Sequence, residues 1–311
     1  MIASTAPILT LGGNRLSILI FHRVLESKDF MRPVELTSKE FDKKMQLIAK
    51  HFNPVSLSAA VDGLKKGCLP KRPICVTFDD GYKDNAEVAY PILKKWNIPA
   101  TFFVASGFLN DGRMWNDTIM EVLKIYPKDK LNLTDLELGC YSLQSARHRA
   151  VAAQSIINNI KHLPFDKRNE KITAVEGLVG ELPMDLMMTE KQVRFLSQSG
   201  MEIGAHTVSH PILSKLSLSQ VEDEIKTSKS VLEGITGTPI DLFAYPNGKV
   251  EQDYLLSHAE VVKKLGFKAA VSTNVGVSCD TSDLFQLKRF TPWDRGDTKF
   301  LMRLVKNLNN T

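Results

Sequence analysis

Short runs of β-forming residues alternate with amphipathic helical patterns through most of this chain, and that alternation is the feature that most restricts its fold. It predicts parallel strands joined by crossover helices. Ser17–Phe21 reads as a first buried strand, and Thr37 with Glu40 three residues on forms a capping box. That box opens a helix through Phe41, Met45, Ile48 and Phe52. A short helix follows Ser58 and stops near Gly67. Ile74–Phe78, a helix from about Asp84 to Trp96 and Ala100–Val104 make a βαβ unit. Thr189 and Gln192 cap a helix ending at Gly200, and Met201–Ala205 then delivers His206. Ser219 with Glu222 starts a helix to about Gly234. Leu242–Tyr245, a helix over Asp253–Leu265 stopped by Gly266, Lys268–Ser272 and Leu287–Phe290 complete the series.

The alternation breaks from about residue 110 to 183. Three helical patterns fall there, Asp117–Tyr126, Ser145–His162 and Asp166–Val179, with no clear strand between them. A barrel-like β/α domain spanning residues 1–311 and carrying a mainly helical insertion is therefore expected, a size compatible with a single domain.

Composition excludes several classes. Hydrophobic residues make up 43% and charged residues 24%, ordinary for a globular protein, and no apolar run approaches the ~18 residues of a spanning helix. The formal charge of +5 is spread along the chain without a basic run, which gives no case for nucleic acid. Cys68, Cys75, Cys140 and Cys279 lie far apart with no CxxC pair, so no thiolate zinc site is suggested and free thiols are expected. Met1–Asn14 carries no positive charge and its apolar positions are interrupted, a poor secretory signal. A cytoplasmic location is the expectation.

Three segments carry chemistry, each at the end of an expected strand, where β/α barrels gather reactive groups. The first is Thr77-Phe78-Asp79-Asp80-Gly81-Tyr82. Consecutive residues of an extended chain point opposite ways, so Asp79 and Asp80 are able to take separate roles, one toward a metal and one toward an attacking water. Turn chemistry after a strand is the competing explanation of Asp-Asp-Gly. The second segment holds His206 and His210, a spacing that lets two imidazoles reach one ion. Neutral imidazole with carboxylate suits Zn²⁺ or a similar divalent metal, and two His plus one Asp leave positions open for chemistry. Pro211 disfavours an ordinary helix through the pair. The third segment is Phe243-Ala244-Tyr245-Pro246-Asn247-Gly248.

Together these segments resemble the polysaccharide deacetylase family with the NodB homology domain, carbohydrate esterase family 4, over most of the chain outside the insertion. Ile18-Leu19-Ile20-Phe21-His22-Arg23-Val24 resembles the first strand of an exopolysaccharide-associated branch. Asp80 and His206 stand 126 residues apart, long for the family, and the insertion accounts for it. The resemblance implies a distorted (β/α) barrel, and a Zn²⁺-type ion (Zn²⁺, with Co²⁺, Ni²⁺ or Mn²⁺ as substitutes) held by Asp80, His206 and His210. It implies Asp79 as general base and a backbone N–H of Asn247 for the oxyanion. The substrate it implies is an N-acetylated glycan or lipid-linked oligosaccharide.

Two positions depart from the family pattern. The third motif's Arg is Ala244 here, and Arg289 beside the last strand is the candidate replacement. The family's late Leu-x-His has no counterpart, since the last histidine is His258, on an expected helix. His22 is then the candidate for a polar catalytic role, with a hydrogen-bonded core histidine as the equal alternative. Trp115, Tyr245 and Trp293 are candidate sugar-stacking residues or ordinary core aromatics, while Trp96 reads as packing. Met184, Met187 and Met188 read as a flexible apolar surface. Hydrolysis of another small amide, or carbohydrate binding without catalysis, are the rival functions.

Overall fold

The strands expected from the sequence form, and they close on themselves. The structure, a computed structural model, describes residues 15–110, 112–292 and 294–308. The segment judged a poor secretory signal, residues 1–14, and Trp293 lie outside the described residues. Seven strands, β1 (Ser17–Phe21), β2 (Pro73–Phe78), β3 (Ala100–Val104), β4 (Glu202–Ala205), β5 (Leu242–Ala244), β6 (Ala269–Val275) and β7 (Leu287–Arg289), lie in sequence order, every pair parallel. Phe290, just past β7, pairs with Leu19 of β1. It accepts from Ile20 N–H at 3.0 Å and donates to Ile18 C=O at 2.8 Å, bringing the two edges of the sheet together.

The result is a nearly closed parallel (β/α) barrel, the architecture that the resemblance implies. β1, β2 and β3 are buried at every position, because one face meets the lumen and the other meets helices. Ile18, Cys75, Phe103, Leu242, Ala244, Val271 and Leu287 share one cluster with Leu57, Ala60, Val61 and Leu64 of α2 (Leu57–Lys66). The outer cluster joins Phe41, Met45 and Ile48 of α1 (Ser38–His51), Leu93 of α3 (Tyr90–Lys95) and Val193 and Leu196 of α7 (Glu190–Gln198). Val221, Ile225 and Leu232 of α8 (Leu218–Thr236), Val262 of α9 (Leu256–Lys264) and Phe300 and Leu304 of α10 (Asp297–Asn307) complete it.

Capping boxes at Thr37–Glu40 and Thr189–Gln192 form as expected. Elsewhere the local signals shift. The short helix α2 starts at Leu57 with Ser56, not Ser58, as its cap. The box of α8 is Ser217 with Gln220 instead of Ser219 with Glu222. Two overlapping boxes compete there, and the earlier start adds further intrahelical hydrogen bonds. The segment after Asp84 opens as a π-helical turn, Asn85–Ala89, before α3. Asn85 is fully buried, and its side chain donates to His22 C=O at 2.8 Å, fixing the loop after β1 against the loop after β2.

The segment from about 110 to 183 holds α4 (Trp115–Ile125), α5 (Ala146–Ile160) and α6 (Phe165–Glu176), and also an antiparallel hairpin, Lys130–Leu133 with Gly139–Ser142. The expectation of no strand is corrected there. Four residues of alternating burial are too short a period-two signal to stand out between helices. Leu131, Leu133, Val122, Leu123, Ile156, Ile160, Ile172 and Val175 form a separate hydrophobic cluster.

A buried ion network ties this cluster to the barrel. Arg32 pairs with Asp117 at 2.7 Å and Glu121 at 2.8 Å, and Tyr82 Oη donates to Asp117 at 2.8 Å. The methionine reading is corrected as well: Met187 and Met188 are buried, because Met188 N–H donates to Gly81 C=O and the strand-like stretch around Met187 bridges to Tyr82. Met184 alone of the three is exposed.

Candidate metal centre and its cleft

The residues singled out in the sequence meet where the barrel strands end. β2 delivers Asp79 and Asp80, and β4 delivers His206. Asp80, Thr207, His210 and Asn247 all adopt positive φ without being glycine, between +51° and +77°. Such conformations are costly and cluster where surrounding structure forces them. Gly81 follows at φ +91°, and a Cβ there would lie 3.0 Å from Val104 on β3, so the turn after Asp80 is both left-handed and tightly packed.

Asp80 Oδ1 lies 3.5 Å from His206 Nε2 and 3.4 Å from His210 Nε2, and one ligand atom from each of the three residues falls within 4.8 Å of the others. Donors each ~2.1 Å from a tetrahedral ion stand roughly 3.4 Å apart. Asp80 Oδ1 is itself a buried oxygen without a hydrogen-bond partner. His206 Nδ1 sits 2.7 Å from Ala244 C=O. A carbonyl only accepts, so Nδ1 carries the proton and Nε2 turns its lone pair toward Asp80. An orphaned carboxylate oxygen, an oriented imidazole and donor separations of ligand length fit a divalent ion.

The loop holding the two histidines is fixed from outside. Glu224 of α8 accepts from Val208 N–H at 2.8 Å and Ser209 N–H at 2.9 Å through one oxygen, and from Ser209 Oγ at 2.6 Å through the other. His210 N–H donates to Thr207 Oγ1 at 3.1 Å.

Asp79 is gripped by Arg289. Nη1 and Nη2 donate to its two oxygens at 2.7 Å each, and the same guanidinium donates to Thr77 Oγ1 and to Ser272 C=O. It lies fully buried, its Cζ 5.7 Å from the ring centre of Phe103 in the cluster that also holds Ala244. The third motif's missing Arg is thereby matched from β7, two strands along the barrel from β5. Asp79 Oδ2 stands 3.9 Å from His206 Nε2. Burial pushes the Asp79 carboxyl up, but the Arg289 guanidinium and His206 outweigh it and hold it below the usual carboxylate range. Asp80 shows the same contest between burial and the two imidazoles and ends well below that range. Burial also lowers His206, yet the two carboxylates prevail and raise it. At His210 burial wins and the pKa is pushed down to about 4.

These groups open into a cleft of about 320 Å³ lined by His22, Asp79, Asp80, Trp115, His206, His210, Asn247 and Thr273. Its other wall comes from the 110–183 segment: Asn116, Gln154, Asn158 and Lys161. Those four were not found in the sequence, since polar residues scattered over α4 and the end of α5 carry no motif. Tyr245 is not on the cleft and its reading as a sugar platform is corrected. It is fully buried, stacked on Tyr254 at 3.8 Å with its hydroxyl donating to Phe285 C=O. His258 is a helix-start residue, its Nδ1 accepting from Leu255 N–H. Trp96 donates to Asp42 at a helix end, as packing requires.

Comparison with known proteins gives the family and agrees with the fold. The family model for polysaccharide deacetylases matches residues 66–270. The Bacillus subtilis protein YxkH is 22% identical over 290 residues, 92% of this chain and 74% of that protein. A poly-β-1,6-N-acetyl-D-glucosamine N-deacetylase of Staphylococcus aureus is 35% identical over 111 residues, 35% of this chain and 38% of that enzyme. Among solved structures, the Streptococcus pyogenes deacetylase PplD superposes with a TM-score of 0.63 at 20% identity, covering 94% of this chain and 98% of that one. IcaB from Ammonifex degensii gives 0.60 at 18%, covering 96% and 98%. With the barrel, the carboxylate pair and the two histidines in one cleft, the chain belongs to the polysaccharide deacetylase family.

Proposed function

We propose that the chain is a metal-dependent hydrolase that removes N-acetyl groups from GlcNAc-type sugars, in a polysaccharide or a lipid-linked precursor, leaving an amine and acetate. The observation that carries this reading is the buried, otherwise unpartnered Asp80 oxygen 3.4–3.5 Å from two imidazole nitrogens, with a second, Arg-held carboxylate beside it.

Asp80, His206 and His210 would hold the ion, Zn²⁺ or a Co²⁺, Ni²⁺ or Mn²⁺ substitute. Bound there, it supplies Lewis acidity toward water and toward the acetyl carbonyl. Asp79 is ionised at neutral pH, and each of its oxygens keeps a lone pair beyond the Arg289 contact. It takes the proton of the attacking water. As the water oxygen bonds to the carbonyl carbon, charge collects on the former carbonyl oxygen, toward which Asn247 N–H donates. Breaking the C–N bond then requires a proton on the departing nitrogen. We assign that proton to His22, which lines the cleft, in place of the late histidine that the chain lacks.

Arg289 also bears on the rival reading of a carbohydrate-binding protein without catalysis. Ala244 and the missing late histidine both favoured that rival, and the pairing of Arg289 with Asp79 answers the first of them. Acetate release from N-acetylglucosamine oligomers by metal-loaded protein, beside formamido and non-carbohydrate amides, tests the proposal. Acetate that vanishes in Asp79→Asn supports it. A metal-loaded protein that binds the sugar and frees no acid from any of these amides defeats it.

A further inference from the structure

Arg168, on α6, is 4% exposed, yet no carboxylate among the described residues pairs with it. The other deeply buried arginines have carboxylate partners: Arg32 has Asp117 and Glu121, and Arg289 has Asp79. Arg168 Nε has no hydrogen-bond partner, and burial alone acts on its pKa, downward, with no carboxylate opposing it. Its guanidinium lies 5.0 Å from the ring centre of Trp115 and 5.6 Å from that of Phe165. Cation–π contact offsets part of the cost of burying it but satisfies none of its in-plane N–H donors.

Arg168 lines a second cavity, of about 440 Å³, with Arg113, Trp115, Asn169, Thr173 and Ser209 also in its walls. The cavity's acidic residue, Glu176, is already paired with Arg113, so the Arg168 charge is left over. Asp166 lines an adjoining groove that shares Phe165 and Ser209 with this cavity, and no ion pair joins it to Arg168 among the described residues. Trp115 belongs to the walls of both the catalytic cleft and this cavity, so the two adjoin at its ring, and Lys161 adds a cation on the cleft side.

We propose that this cavity is an anion subsite, in which Arg168 receives a phosphate or carboxylate carried by the glycan outside the acetamido sugar being hydrolysed. A planar fork of charged donors suits either oxyanion. The substrate is then an acidic glycan or a phosphate-bearing precursor, held across Trp115. That assignment of the ligand as substrate rests on the deacetylase reading, whereas the anion site itself does not.

The test uses chelator-treated protein at low ionic strength and calorimetric titration with three probes: a neutral GlcNAc dimer, the same dimer bearing a terminal phosphate, and one bearing a terminal uronate. The charged dimers are expected to bind roughly tenfold more tightly than the neutral one, an advantage that falls with added salt. The better of the two identifies the source of the oxyanion. Arg168→Gln is expected to erase the advantage while the neutral dimer binds within about twofold of wild type, and Arg168→Lys to retain part of it. Equal affinity for all three dimers overturns the proposal. So does an advantage that survives in Arg168→Gln. Should Arg168→Gln fail to fold, the wild-type comparison and Arg168→Lys decide. Acetate release from the neutral dimer by metal-loaded wild type is scored separately, so the anion site and the deacetylase reading are able to fail independently.

Discussion

Arg289, at the end of the last barrel strand, holds both carboxylate oxygens of Asp79 at 2.7 Å, although 210 residues separate them in the chain. The contact is made because the barrel closes, setting β7 against β1 and so within reach of β2. Arg289→Met leaves a buried carboxylate without its counter-charge. Activity is expected to drop on the order of 100-fold through misplacement of the base alone. The pH profile gives the sharper signature. A base works when ionised, so kcat/KM falls in acid as Asp79 takes up its proton. In the wild type that limb lies below the usual carboxylate range, since Arg289 and His206 overcome burial. Without the guanidinium, burial dominates and the limb moves to higher pH. An unmoved acid limb in Arg289→Met would show that Asp79 is not the group being titrated.

Metal removal is expected to abolish acetate release and to lower the melting temperature. A ligand that binds only the folded state adds about 2.7 kcal/mol of stability at 100 times its dissociation constant. Metal analysis is expected to find one ion per chain in wild type and none in His206→Ala. That variant also loses the ring whose Nδ1 is tied to Ala244 C=O. A full ion complement in His206→Ala would rule out the proposed ligand set.

Glu224 never touches the metal site, yet it accepts three hydrogen bonds from the loop between the two histidines. Glu224→Ala frees Val208 and Ser209 and lets His210 drift. Metal affinity is expected to weaken by roughly 10- to 100-fold, the usual effect of removing a support behind a ligand. Activity measured at saturating metal is expected to recover most of the loss. Competition against a calibrated chelator reads the affinity directly.

Much of this site was legible in the sequence because its parts are local. Asp79 and Asp80 stand at the end of an apolar strand, and His206 and His210 follow another, so periodicity put them at strand ends, while their roles came from the family resemblance. Arg289 was reachable only as a candidate, since nothing near it in sequence marks a partner across a closed barrel. Tyr245 was misread because it follows β5 directly, and only the packed structure shows Tyr254 stacked against it. Arg168 left no trace in the sequence. An arginine on an amphipathic helix looks solvated until Trp115 and Phe165 are seen to enclose it. The hairpin at Lys130–Leu133 stayed hidden for a different reason, as its two short strands are stabilised by the helices around them.

The link between the 110–183 segment and the barrel makes the last prediction. Arg32 is buried between Asp117 and Glu121, and Asp117 also accepts from Tyr82, the third residue after Asp79. Arg32→Met removes the cation and leaves two buried carboxylates facing each other, a loss expected to cost ~3–5 kcal/mol of stability. Adding Asp117→Asn is expected to restore part of that, because the amide oxygen still accepts from Tyr82 while the charge is gone. Urea unfolding of the four proteins in the cycle measures the coupling. The fold change is also expected to reach the cleft, since α4 carries Trp115 and Asn116 on its first turn. Loosening α4 is therefore expected to raise KM more than it lowers kcat. The opposite split would mean that Tyr82 transmits the damage to Asp79 and Asp80 instead.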